Sequence, residues 1–242
     1  MINIIQSEYV KYKRTFTRKL IIFAPLFTIM IALISPWQFF VNQVYNLWPA
    51  IFIPILIALF SSLVAIQEKK AGNYRNLLVH NISPARIWIG KIIVMCIHTL
   101  LATLFLIILT IIIFPIVSKE NIPLIKIFTA GSIIWLTSLT IVPIQLWAAT
   151  CKGIFASMSL GFLGLIIGVI VATKSYWVYV PWSYPTRLMC PLMGVGPNAL
   201  PLKIGDPLLD NSVIPVGIIM SIISLLIFTC ITALWFNKRE VR

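Results

Sequence analysis

Six apolar stretches, each close to the length that crosses a bilayer, leave this chain few ways to fold. They run Leu20–Phe40, Pro49–Ile66, Ile92–Val117, Ile125–Ala149, Ile154–Thr173 and Val213–Phe236. About 20 apolar residues cross the hydrocarbon core as a helix. No Asp, Glu, Lys or Arg interrupts these stretches except near an end, where Lys126 sits. The chain is 60% hydrophobic and only 10% charged, whereas a water-soluble domain has roughly a quarter of its residues charged. The expectation is an all-α integral membrane protein with six transmembrane helices in one domain, residues 1–242, and no separate soluble domain. The polar, basic first 19 residues, with no small-residue cleavage site after the apolar run, argue against a signal peptide. Pro25, Pro54 and Pro143 lie inside the stretches and are expected to kink them, since neighbouring spans can re-satisfy the freed carbonyls.

Basic residues set the orientation. With both termini inside, the inner segments hold fourteen: Lys11, Lys13, Arg14, Arg18, Lys19, Lys69, Lys70, Arg75, Arg86, Lys91, Lys152, Lys238, Arg239 and Arg242. The outer segments hold five: Lys119, Lys126, Lys174, Arg187 and Lys203. The excess predicts both termini in the cytoplasm of a multi-pass plasma-membrane protein. The net charge of +13 is then a topology signal, and no soluble basic face is left for nucleic acid.

Residues 1–19 carry a further pattern. Ile5, Tyr9, Tyr12, Phe16 and Leu20 recur at helical spacing, with Ser7, Lys11, Arg14 and Arg18 on the other side. This predicts an amphipathic interfacial helix in the cytoplasmic headgroup layer, in contact with the lipid bilayer.

The predicted membrane interior has no charge pair for a proton or ion relay; His98 is its one ionisable side chain, read as a packing residue. No acid pair, Ser/His/Asp set or HExxH motif supports hydrolysis, so the chain is expected to be a transport subunit and not an enzyme. Cys96, Cys151, Cys190 and Cys230 lie far apart with no metal-ligand spacing, and no metal site or disulfide framework is expected. In the fifth span Gly153, Ser157 and Gly161 are spaced by four, as are Gly164 and Gly168, which predicts a helix-packing seam. The outer segment 174–212 is dense in Trp177, Tyr179, Trp182 and Tyr184. Such rings are ordinary interfacial anchors. The alternative is a substrate-facing outer lip, for which Trp177, Tyr179, Trp182 and Arg187 are the candidates; Arg187, Asp206 and Asp210 could also pair with one another.

Between the second and third spans, residues 67–91 are too polar for lipid and too well patterned for a plain linker. Tyr74, Leu77 and Leu78 lie at i, i+3 and i+4 after a Gly72-Asn73 turn, and Ser83-Pro84 opens the next helix. A short cytoplasmic helix with one apolar ridge is predicted, flanked by Glu68 and Arg86 and suited to a groove on a partner.

The basic entry helix Ser7–Leu20, the stretch Glu68–Leu77, the motif Ser-Pro-x-Arg-x-x-x-x-Lys from Ser83 to Lys91, and Val180–Pro191 resemble the permease subunits of ABC-2 transporters. The likeness is to lantibiotic-immunity permeases of the MutE/EpiE type. It implies that the loop 67–91 is a coupling element, with Glu68, Tyr74, Leu77, Leu78 and Arg86 meeting a cytoplasmic ABC ATPase present in two copies. It implies a second, related permease subunit and a lantibiotic peptide cleared from the membrane for self-protection in Gram-positive bacteria. The sequence has no GxxxxGK[ST] phosphate loop, so ATP and Mg belong to the partner and this chain carries no cofactor. Another ABC-2 cargo (a different peptide, a drug or a lipid-linked polymer) and a non-transporting membrane scaffold or sensor are the alternatives.

Overall fold

The computed structural model describes residues 1–12, 15–70, 83–118 and 122–240. Its elements are α1 (Ile2–Tyr12), α2 (Thr17–Ile34), α3 (Phe40–Leu47), α4 (Ile53–Lys70), α5 (Pro84–Val117), α6 (Leu124–Ser138), α7 (Ile141–Lys152), α8 (Ile154–Val171), α9 (Ser183–Met189) and α10 (Val213–Glu240). The described residues form helices and no sheet; one isolated antiparallel bridge joins Val195 and Pro201. Five helical stretches are long and apolar enough to cross a membrane, and the pair α6–α7 makes a sixth if counted as one bent span. This is a multi-pass membrane protein.

The span boundaries follow proline and glycine more closely than hydropathy does. The first span was expected to reach Phe40. It stops at Ile34 because Ser35, preceding Pro36, is extended (φ −73°, ψ 161°). The second span starts at Trp37 rather than Pro49 and runs to Lys70. A π-helical turn, Trp48–Phe52, lets it pass Pro49 and Pro54 without breaking. The third span starts at Pro84, not Ile92, with proline in the first turn where its missing N–H costs nothing. In the fourth, Pro143 cannot donate to the Leu139 carbonyl, which instead accepts from the Val142 N–H at 3.0 Å. The axis bends by 42° at that break. Gly153, at φ +80°, is the single residue between α7 and α8, a conformation that side-chain-bearing residues rarely adopt.

The bundle is built around α4, which packs on α7 and α8, while α5 lies against α1, α2, α6 and α10. The most apolar window of the Trp37–Lys70 span is 67% buried, against 11% for α10, so α4 is the core and α10 the periphery. The core centres on Tyr45, Trp48, Phe60, Trp88 and Met95. Two polar anchors cross it: Tyr45 Oη donates to the Ile127 carbonyl at 2.6 Å, and Trp48 Nε1 to Thr103 Oγ1 at 3.3 Å.

Candidate functional site

The end of the bundle where α1, the last turn of α4 and the first turns of α5 meet contains a buried cluster of four charges. Lys91 Nζ lies 2.8 Å from Glu8 Oε2 and 2.5 Å from Glu68 Oε1. Lys11 Nζ lies 2.7 Å from Glu8 Oε1 and 2.9 Å from Glu68 Oε1. Lys91 is fully buried, and Glu8 and Glu68 are nearly so, at 3% and 5% exposure. Two carboxylates and two ammonium groups leave the cluster neutral, the condition for holding charge in a low-dielectric site. Burial alone would pull the Lys11 ammonium down, but the neighbouring Glu8 and Glu68 carboxylates outweigh it and hold it above the ordinary lysine value.

Local sequence builds the cluster. Glu8 and Lys11 share one face of α1 at i, i+3 spacing. That face also carries Ile4, Ile5 and Tyr12, whereas Tyr9 and Phe16 are exposed. The buried stripe is therefore rotated from the predicted one, and Lys11, assigned to the polar side, turns inward. The reason is Gly90: a Cβ there would come within 2.9 Å of Ile4 Cγ2, so glycine provides the notch that seats α1 on α5. Gln67 Nε2 donates to the Lys11 carbonyl at 2.9 Å, closing the last turn of α1 onto α4. His98, expected only to pack, does so: Nδ1 donates to the Val94 carbonyl at 2.8 Å, and the ring stacks on Tyr9 at 5.5 Å.

Glu68 and Lys91 are the stems of the polar loop, so their ion pair clasps its two ends together. The predicted ridge residues Tyr74, Leu77 and Leu78 lie outside the described residues. Of the predicted flanking charges, Arg86 is exposed on the first turn of α5, while Glu68 faces inward to Lys91 and Lys11. On its other side α5 is held by rings: Trp88 Nε1 donates to Thr232 Oγ1 at 3.0 Å, and Trp88 stacks on Phe236 at 4.6 Å. An Arg239 guanidinium N–H donates to the Thr150 carbonyl at 3.1 Å, which brings the ends of α7 and α10 to the same place.

Sequence reasoning missed Glu8, Lys11 and Lys91 as a unit. The usable signal was the rarity of acids: the chain has six Asp and Glu, and two of them, Glu8 and Glu68, occur among its densest basic residues.

The predicted seam divides in two. Ser157 and Gly161 face α4: Ser157 Oγ donates to the Ala58 carbonyl at 3.1 Å, and a Cβ on Gly161 would lie 2.9 Å from Ala58 Cβ. Gly164 and Gly168 face Trp182 instead; a Cβ on Gly164 would overlap its indole, and one on Gly168 would lie 2.6 Å from its carbonyl oxygen. Gly153 belongs to neither, since a Cβ there meets nothing within 4 Å.

The middle of the segment 174–212 is folded back into the bundle. All of α9 is buried, packed on α6 and α8. Leu188 of α9 fills the space a Cβ on Gly217 would need. Of the four candidate lip residues only Tyr179 is exposed, at 82%. Trp177 and Arg187 are buried, and Trp182 is wedged against α8. The indole N–H of Trp182 has no hydrogen-bond partner among the described residues. Arg187 pairs with neither Asp206 nor Asp210: Nη1 donates to the Leu208 carbonyl at 2.8 Å, and the guanidinium lies 6.0 Å from the Trp177 ring. Asp206 accepts from the Leu208 N–H and Asp210 from Ser212. Burial pushes the Cys190 thiol up to about 12.

Among known proteins, the family model described as ABC-2 family transporter protein matches residues 4–170, from α1 almost to the end of α8. All four residues of the charge cluster fall within the matched region, whereas Trp182 and Arg187 lie beyond it. No curated protein and no solved structure matches the chain.

Proposed function

This chain belongs to the ABC-2 family of transporter proteins, and from that premise we propose that it is the membrane half of an ATP-driven exporter that expels a lantibiotic peptide. Both termini and the 67–91 loop face the cytoplasm, as the excess of basic residues there favours. Two copies of a separate ATPase grip the loop through Tyr74, Leu77 and Leu78, and a second, related permease completes the complex. The cargo reading rests on the resemblance of Ser7–Leu20, Glu68–Leu77 and Val180–Pro191 to lantibiotic-immunity permeases.

The observation that carries the coupling reading is the Glu68–Lys91 pair. A push on a slack loop would be lost in the loop. Here both stems are joined to each other and to α1, so a displacement at the ridge is delivered to α1, α4 and α5 together. The α6–α7 break and the small-residue face of α8 are the places where such a displacement changes helix packing.

Replacing both ridge leucines (Leu77→Asp with Leu78→Asp) is expected to leave membrane insertion intact while abolishing ATPase co-purification and peptide resistance. Normal resistance in the double variant would sink the coupling assignment. In the wild-type complex, ATPase turnover that rises with a lantibiotic is expected; stimulation by a drug or a lipid-linked polymer alone would replace the cargo and keep the machine.

A further inference from the structure

A groove of about 800 Å³ runs along the outside of the bundle between α1, α2 and α5. Tyr9, Arg18 and His98 line its polar end, and Leu104, Phe105 and Ile108 are among the apolar residues lining the rest. From His98 to Ile108 the α5 wall is about 15 Å long. Arg18 is the second residue of α2, whose 18 residues extend about 27 Å, close to the thickness of the hydrocarbon core of a bilayer. Arg18 therefore stands at headgroup level and the apolar lining at acyl-chain depth.

Among the described residues the charges at this end are not balanced locally. Glu8 and Glu68 are taken by Lys91 and Lys11. Among the described residues neither Arg18 nor Lys19 forms an ion pair, and the Lys19 ammonium lies 6.0 Å from the Phe16 ring. The other two acids whose side chains are described, Asp206 and Asp210, bond within the 174–212 segment. The groove thus offers a cation with no ion-pair partner among the described residues at one end and a long apolar wall below it.

We infer that it is a binding site for one anionic phospholipid of the leaflet in which α1 lies. The phosphate sits at Arg18, and one acyl chain lies along Leu104, Phe105 and Ile108. A zwitterionic lipid would use the wall, but its own ammonium offsets the phosphate that Arg18 would pair; a soluble anion would use Arg18 and leave the wall uncovered. Only a molecule with both parts matches both ends. Because Tyr9 stacks on His98 at the polar end, the bound lipid also braces α1 against α5 beside the charge cluster. The inference rests on the chain's being a membrane protein, and not on its cargo or ATPase.

Native mass spectrometry of the purified full-length chain, titrated with phosphatidylglycerol or with phosphatidylcholine of the same acyl chains, tests it. One phosphatidylglycerol is expected to bind about fivefold more tightly than phosphatidylcholine, the contribution of one basic residue at a membrane surface. Arg18→Gln should abolish that preference, whereas Lys152→Gln, a basic residue at the same end and outside the groove, should keep it. Leu104→Trp should weaken both lipids by filling the wall, and glycerol phosphate should not compete. Equal retention of the two lipids by the wild type, or an unchanged preference in Arg18→Gln, overturns the site. Competition by glycerol phosphate overturns it in favour of a plain anion site. Since Arg18 is exposed, its variant keeps the test decisive even if the tryptophan variant fails to fold.

Discussion

The two ends of this bundle are held by different physics. At the end that carries α1, charges do the joining: Glu8, Lys11, Glu68 and Lys91 connect three helices through four close contacts. At the opposite end neutral shape does it: Trp182 lies over Gly164 and Gly168, Leu188 over Gly217, and even Arg187 is satisfied by backbone carbonyls. Coulomb attraction falls only as the inverse of distance, whereas a gap of about 1 Å already forfeits up to about half of a dispersion contact. A charged joint can therefore stay attached while its parts shift, and a packed joint is either seated or not. That division suits the proposed exporter, in which a compliant clasp would receive the push and a close-fitting plug would hold the far side.

The largest effect is expected from breaking the charged joint at its centre. Lys91→Met leaves two buried carboxylates facing the single ammonium of Lys11. Removing one partner of a buried ion pair typically costs about 3–5 kcal/mol. The variant should lose that much stability in detergent unfolding and release α1 to proteolysis. Lys91→Met combined with Glu8→Gln restores neutrality, leaving Glu68 and Lys11, and should recover part of the loss. If the single variant unfolds like the wild type, the clasp contributes nothing, and the contrast between the ends collapses.

The packed joint should respond less, and to shape rather than charge. Gly164→Ala forces a methyl into the Trp182 indole, and overpacking of this kind costs about 1–3 kcal/mol. In a Trp182→Ala background the same substitution should add no further cost, because the ring it strikes is gone. Thermal unfolding of the three variants measures the coupling directly; additive costs would mean that the wedge does not bear on α8 at all.

How much of this was legible beforehand differs between the ends for the same physical reason. Hydropathy and charge counts gave the multi-pass class, since both are sums over many residues, and the small residues of α8 gave a packing face. Boundaries failed where a single residue overruled the sum. Ser35-Pro36 ended a span early, and the π turn at Trp48–Phe52 carried the next one through two prolines. The charge cluster was missed because its four members come from three distant places in the chain, and because lysines in a basic segment look like topology signals. Trp177 and Trp182 read as interfacial anchors because a ring that wedges inward and one that sits at the boundary have the same composition. What turned Trp182 inward was the pair Gly164 and Gly168, which the sequence places on another helix.

The smallest effect belongs to Lys11, and it sharpens the contrast most. Its side chain is 32% exposed, so solvent screens its pairs with Glu8 and Glu68. Lys11→Met should cost about 1 kcal/mol or less, well below the loss from Lys91→Met. The pH dependence has a definite sign. Because the folded ammonium is held above the ordinary value of 10.5, its contribution is complete below that pH and fades as pH rises through the higher folded value. Between pH 6 and 9 (a range of about three units in which lysine stays protonated) the docking of α1, followed by proteolysis of the α1–α2 junction, should not change through Lys11. Above 10.5 it should weaken in the wild type and less so in Lys11→Met. A weakening above 10.5 that is just as large in Lys11→Met would mean that Lys11 does not set the response of the clasp.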